Sequence, residues 1–261
     1  MRWLPLLLLL ISCGGGGGND DKTVIPADPL PVRFVHYGYF GDFFDDQLPA
    51  VAGHSSLTME DGTNLPARMN IARANGLKVI LTVERLLYVN GRYRGNADAV
   101  RPLLEQLRRL GMLDLVIGLY PADEPDLHYS DQDVRSANHD LKTLCAEFPQ
   151  LGACNLVVIY SDHYPVGLDS FDWVGWDNYG AGPQVRPLGP SQRLILVPGG
   201  ASPWRESPDA FVATAQTHPE VIAVLAFVYP NYSDFGISTN GMAPAYCRAG
   251  RTLTQKAGPC P

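Results

Sequence analysis

The sequence lacks the marks of several common protein classes. Its apolar run Leu4–Ile11 is far shorter than the ~20 residues that a membrane-spanning helix needs. No Lys/Arg cluster is visible and the formal net charge is -7, so a nucleic-acid partner would find no basic face. No Gly-x-Gly-x-x-Gly follows the first strand candidate and no phosphate-binding loop occurs anywhere, which removes the nucleotide-binding reasons for an open doubly wound sheet. Cys-x-x-Cys, His-x-His and His-Glu-x-x-His spacings are also missing, so neither a metal nor another cofactor is expected. What is present is 46% hydrophobic and 10% aromatic residues, enough to bury one substantial core.

The amino terminus has the layout of a secretory signal: Arg2 is its positive region and Leu4–Ile11 its apolar region. Leu10-Ile-Ser-Cys13 is similar to the lipobox of bacterial lipoproteins, which implies cleavage before Cys13 and lipid modification of that residue. Removing residues 1–12 takes away one charge, Arg2, so the net charge goes from -7 to -8. Residues 13–30 contain Gly14–Gly18 followed by Asn-Asp-Asp-Lys22, a composition that cannot build a core and suits a flexible tether. Residue 14 is not the aspartate of inner-membrane retention, so the expected location is the bacterial cell envelope at the outer membrane, with the lipid as the only membrane contact. In that oxidising setting Cys145, Cys154, Cys247 and Cys260 favour disulfides. Pairing Cys145 with Cys154 and Cys247 with Cys260 closes the shortest loops.

From residue 31 to 261 strand and helix patterns alternate. Strand candidates are Val32–Tyr39, a weaker Ala50–Met59, Leu77–Val83, Leu115–Tyr120, Asn155–Tyr160, Trp173–Trp176, Arg193–Val197 and Val221–Val228. Helical patterns cover Leu65–Asn75, Ala97–Leu110, Ser130–Phe148 and Pro208–Thr217. Strands alternating with helices imply a parallel sheet. Eight of them, nearly continuous in hydrophobicity, suit a single (β/α)8 barrel, whose usual size is about 250 residues.

In such a barrel the carboxyl ends of the strands line one mouth. They would present His36, Tyr37 and Tyr39; His54; Glu84 and Arg85; Asp123 and Glu124; Asp162, His163 and Tyr164; Asp177, Asn178 and Tyr179; Trp204; and Tyr229, Asn231 and Tyr232. Acids and aromatics dominate this set. Carboxylates and amides bond hydroxyls and aromatic faces stack on sugar C–H faces, so a neutral carbohydrate is the expected ligand. The strand Leu115–Tyr120 runs straight into Pro121-Ala-Asp-Glu-Pro125. Partial burial of Glu124 beside Asp123 would raise one carboxyl towards the working pH, as a general acid requires. Asp177 is the second carboxyl across the mouth and Glu84 a third, unless Glu84 is taken by Arg85 or Arg68. Asp-Glu-Pro alone also suits loop punctuation and helix capping.

Ala122-Asp-Glu-Pro125, Trp176-Asp-Asn-Tyr179 and Val228-Tyr-Pro-Asn-Tyr232 together resemble the (β/α)8 glycoside hydrolases and their bacterial relatives. That resemblance implies a strand-four acid/base, here Glu124, and a strand-seven glutamate nucleophile. Strand seven instead ends Val197-Pro-Gly-Gly-Ala201, with Glu206 several residues further on. Two schemes remain from the resemblance: Asp123 orienting a substrate acetamido group with Glu124 as acid and Tyr179 assisting, or Glu124 acting with Asp177. The expectation is a monomeric glycoside hydrolase acting on an oligo- or polysaccharide. A surface lipoprotein that only binds glycan is the alternative, and a metal-dependent hydrolase using His36, Asp162 and His163 is a third.

Overall fold

A computed structural model describes residues 33–40, 47–62, 65–161, 163–229 and 235–260. Eight parallel strands run in chain order: β1 (His36–Phe40), β2 (Leu57–Glu60), β3 (Lys78–Thr82), β4 (Val116–Asp123), β5 (Asn155–Tyr160), β6 (Trp173–Trp176), β7 (Arg193–Leu196) and β8 (Val221–Phe227). From β2 to β8 consecutive strands pair in parallel and β8 pairs with β1, leaving β1 and β2 as the seam of a nearly closed (β/α)8 barrel, as the alternating pattern predicts. At the β1–β2 seam Ser56 N–H donates to the Tyr37 carbonyl at 2.8 Å. Gly38 permits that approach, because a Cβ there would stand 2.3 Å from the Leu57 carbonyl oxygen.

Two apolar layers result from the strand alternation. Leu57, Met59, Ile80, Tyr120, Val157, Ile159, Ile195 and Leu225 fill the barrel. Val79, Leu81, Val158, Tyr160, Val174, Leu194 and Val224 face outward to the helices. The principal helices are Leu65–Ala74, Arg101–Arg109, Asp131–Ala146, Asp209–Thr217 and Ala243–Thr254. Ser130 caps the longest of them, its Oγ accepting from Asp133 N–H at 3.2 Å.

The structure differs from the sequence reading in several elements. The weak second strand is a short helix, Leu48–Ala52, followed by β2. The helix Ala243–Thr254 and a small hairpin, Tyr88–Val89 with Arg92–Tyr93, were not expected. The fourth strand runs three residues beyond Tyr120. Both disulfides join the expected partners, Cys145 with Cys154 and Cys247 with Cys260. No helix among the described residues is long and apolar enough to cross a membrane.

Candidate active site

The extension of β4 builds the centre of the site. Residues three apart on a regular strand point to opposite faces, yet Tyr120 Oη donates to Asp123 Oδ1 at 2.7 Å. A register irregularity reconciles the two: Leu119 pairs with Leu156 but Ala122 with Val158, so β4 holds an extra residue around Pro121. Proline cannot donate to the ladder and is tolerated at such a bulge, which turns Asp123 back to the face of Tyr120. Glu124 follows with φ 39° and ψ 55°, a left-handed conformation costly for a residue with a side chain. Its N–H remains tied to the Ile159 carbonyl at 3.1 Å, and Pro125 starts a one-turn helix.

Four carboxyl groups meet there. Glu84, just beyond β3, accepts through Oε1 from Asp123 N–H at 3.1 Å and from Tyr129 Oη at 2.8 Å. Tyr129 is in turn stacked on Tyr88 with ring centroids 3.8 Å apart. Burial pushes Asp123 up to about 6, helped by the charges of Glu84 and Glu124 and opposed by the Tyr120 hydrogen bond. Asp177, one residue past β6, hydrogen-bonds the Glu124 carboxyl. Burial first, then that bond and the Glu124 charge, push Asp177 up to about 8. Two carboxyls in contact cannot both ionise cheaply, so near neutral pH the pair holds one proton. Tyr179 is held well above its usual range, chiefly by burial and then by the charge of Asp177. Its ring lies on Phe227 at 4.9 Å and 17°, and against Trp204 at 4.7 Å.

Beside the pair, on the Asp123 side, a cavity of about 490 Å³ opens within the mouth. Its polar wall comes from β2 to β4 and includes Asp61, Glu84, Arg85 and Asp123. Its apolar lining includes Phe40, Met59, Phe227, Val228 and Phe235. Among the described residues no group of three His, Cys, Asp or Glu side chains is arranged to hold a metal ion.

The mouth thus collects Glu84, Asp123, Glu124, Asp177, Asn178, Tyr179 and, at 39% exposure, Trp204. Four expected ligand-binding residues lie elsewhere. His36 occupies the amino end of β1, the opposite end of the barrel, where its ring neighbours are Phe34 at 5.2 Å and Trp173 at 6.1 Å. Tyr37 and Tyr39 point outward into the buried helix layer, and Tyr39 Oη bonds His54 Nε2 at 2.9 Å. Tyr229 joins the same layer, 4.9 Å from the Tyr39 ring. His163 is exposed at the strand-five rim, its Nδ1 on Ser161 Oγ at 2.7 Å. Arg68 pairs with Glu60 at 3.2 Å and leaves Glu84 to its hydrogen bonds. Glu206 is held by the Gly199 and Gly182 amides at 2.6 and 2.9 Å. Cys13, Asp162 and Asn231 lie outside the described residues.

The sequence reading missed Tyr120, Tyr129, Phe40, Phe227 and Phe235. Tyr120 and Phe227 carried a signal, since each is an aromatic residue at or near the carboxyl end of a strand.

No protein-family profile matches the chain, and no curated protein matches its sequence. Its fold is that of solved (β/α)8 glycoside hydrolases. The beta-galactosidase of Rahnella sp. R3 superposes with a TM-score of 0.57 at 12% identity, covering 87% of this chain and 57% of its own. A glycoside hydrolase family 17 beta-1,3-glucanosyltransferase from Rhizomucor miehei gives 0.55 at 11%, covering 78% of this chain and 92% of that one. Beta-glucuronidase 3 of Bacteroides uniformis gives 0.53 at 11% over 78% of this chain, which spans only 33% of the glucuronidase.

Proposed function

We propose that the chain is a glycoside hydrolase whose reacting groups are Glu124 and Asp177. The observation that carries this reading is the hydrogen-bonded carboxyl pair at the mouth, with Asp177 pushed up to about 8. Glycosidic cleavage needs one carboxyl to protonate the leaving oxygen and one to attack or to activate water. A pair holding a single proton has both functions ready. In this scheme Asp177 passes its proton across the hydrogen bond to Glu124, which delivers it to the glycosidic oxygen as the C–O bond breaks. Asp177, now ionised, attacks the anomeric carbon, and water then hydrolyses the glycosyl ester with Glu124 as base. Inverting enzymes hold their carboxyls about 6.5–9.5 Å apart to admit a water, whereas retaining pairs stand about 5–5.5 Å apart. A pair in direct contact favours retention.

One observation favours exchanged roles. Burial and the Glu124 contact raise the Asp177 carboxyl, which makes Asp177 the donor if the substrate oxygen lies nearer to it than to Glu124. The fold likeness and the polar wall of the cavity support a carbohydrate as the substrate. We further propose anchoring through Cys13 at the bacterial cell envelope.

The deciding experiment is hydrolysis of a panel of glycosides and polysaccharides by the soluble domain, with proton NMR of the first-formed anomer. Activity with retained configuration is expected, and inversion would exclude attack by Asp177. Binding without any turnover would point to the glycan-binding lipoprotein instead.

A further inference from the structure

The cavity beside the carboxyl pair has an apolar wall that a bare sugar does not suit. Phe40, Met59, Phe227 and Val228, at or near the ends of β1, β2 and β8, and Phe235 beyond β8 line a space of about 490 Å³, within the ~300–1,000 Å³ of small-molecule sites. None of these side chains can replace the water that a hydroxyl loses on entering. A pyranose carries hydroxyls around its rim and bare C–H groups only on its faces. One aromatic platform would therefore serve it, and the Tyr179–Trp204 pair, with ring centroids 4.7 Å apart, already offers one. A lining of five apolar groups, four of them at or beside β8, β1 and β2, matches an apolar group with several carbons. The polar part of the lining, with Glu84 and Asp123, matches the sugar that bears it.

We propose that the cavity binds an amphipathic glycoside, with its sugar at the Asp123 wall and an alkyl, aryl or acyl group of several carbons against Phe40, Met59 and Phe235. The sugar half of this inference rests on the glycosidase reading, and the apolar half does not. The substrate class is thus a substituted glycoside and not a plain polysaccharide. The apolar group is either the aglycone or an acyl substituent of the sugar, and both present the same surface to the wall.

Calorimetric titration of the full-length Glu124→Gln protein tests this without turnover. One arm compares methyl, butyl and hexyl glycosides in glucosyl, galactosyl and mannosyl series; the other compares N-acetyl- with N-hexanoylglucosamine. Each buried methylene should tighten binding about fourfold, so hexyl should exceed methyl by more than tenfold in at least one arm. A gain in the first arm identifies an aglycone and a gain in the second an acyl substituent. Met59→Gln should shrink the hexyl-to-methyl ratio towards one. Phe235→Ser, outside the barrel strands, repeats that test should Met59→Gln unfold. Equal affinities or no binding across both arms would overturn the proposal, as would a gain that neither substitution reduces. Hydrolysis without the gain leaves the glycosidase reading standing and removes this one; the gain without hydrolysis does the reverse.

Discussion

Tyr120 and Asp123, three residues apart on one strand, share a face and a 2.7 Å hydrogen bond because the strand carries an extra residue at Pro121. The phenol favours the ionised carboxylate and so opposes the burial that pushes Asp123 up to about 6. Tyr120→Phe removes only that donor. Asp123 should then titrate above about 6, read from its side-chain carboxyl carbon by NMR. An unchanged or lower midpoint would show that the bond does not tune this group.

Substitution of the paired carboxyls separates their roles. Glu124→Gln should slow hydrolysis of an unactivated glycoside by roughly 10²–10⁴ while sparing substrates with good leaving groups, which need little protonation. Asp177→Asn should slow both kinds. The reverse pattern would make Asp177 the proton donor, and near wild-type rates for both variants would leave Asp-Glu-Pro as a helix cap only.

Asp177 also gives stability a definite pH dependence. Its carboxyl titrates at about 8 in the folded chain against an ordinary 3.8, so folding binds this proton more tightly. The stabilising contribution is full below about pH 4 and is lost as pH rises through about 8. Asp177→Asn should therefore gain in Tm over the wild type as pH increases from about 4 to 8. A Tm difference independent of pH would contradict the buried, carboxyl-paired environment.

The left-handed backbone of Glu124 predicts an inverted order of stability for two inactive variants. Both Glu124→Gly and Glu124→Ala remove the carboxyl, but only glycine relaxes at φ 39°. The glycine variant should be more stable by about 1 kcal/mol in denaturant titration. Alanine the more stable would mean that the turn can relax without a glycine.

At the amino terminus, Cys13→Ser should abolish acyl labelling and release the chain from the membrane fraction. Continued labelling would refute the lipobox assignment. The substitution should leave hydrolysis unchanged, since Cys13 lies 20 residues before the first described residue, Arg33.

The sequence by itself determined the succession of strands and helices, the parallel sheet that this succession implies and the barrel that it suits, the two cysteine pairings with the shortest loops as candidates, and the placing of the Asp-Glu-Pro and Asp-Asn-Tyr segments at strand ends. These follow from short-range pattern: apolar runs broken by proline or polar residues, and cysteines close in the chain. It did not determine which way individual side chains point. A strand of a parallel barrel is buried on both faces, so Tyr37 and Tyr39, which face the helices, read no differently from His36 and Phe40, which face the interior. Nor could it show that His36 lies at the amino end of the barrel, since the start of β1 was read four residues early. The bulge at Pro121 depends on the register of β4 against β5, and the Glu124–Asp177 contact on three adjacent strands closing into one curve. Pairing between distant segments sets register and curvature, and these decide which carboxyls come close enough to share a proton.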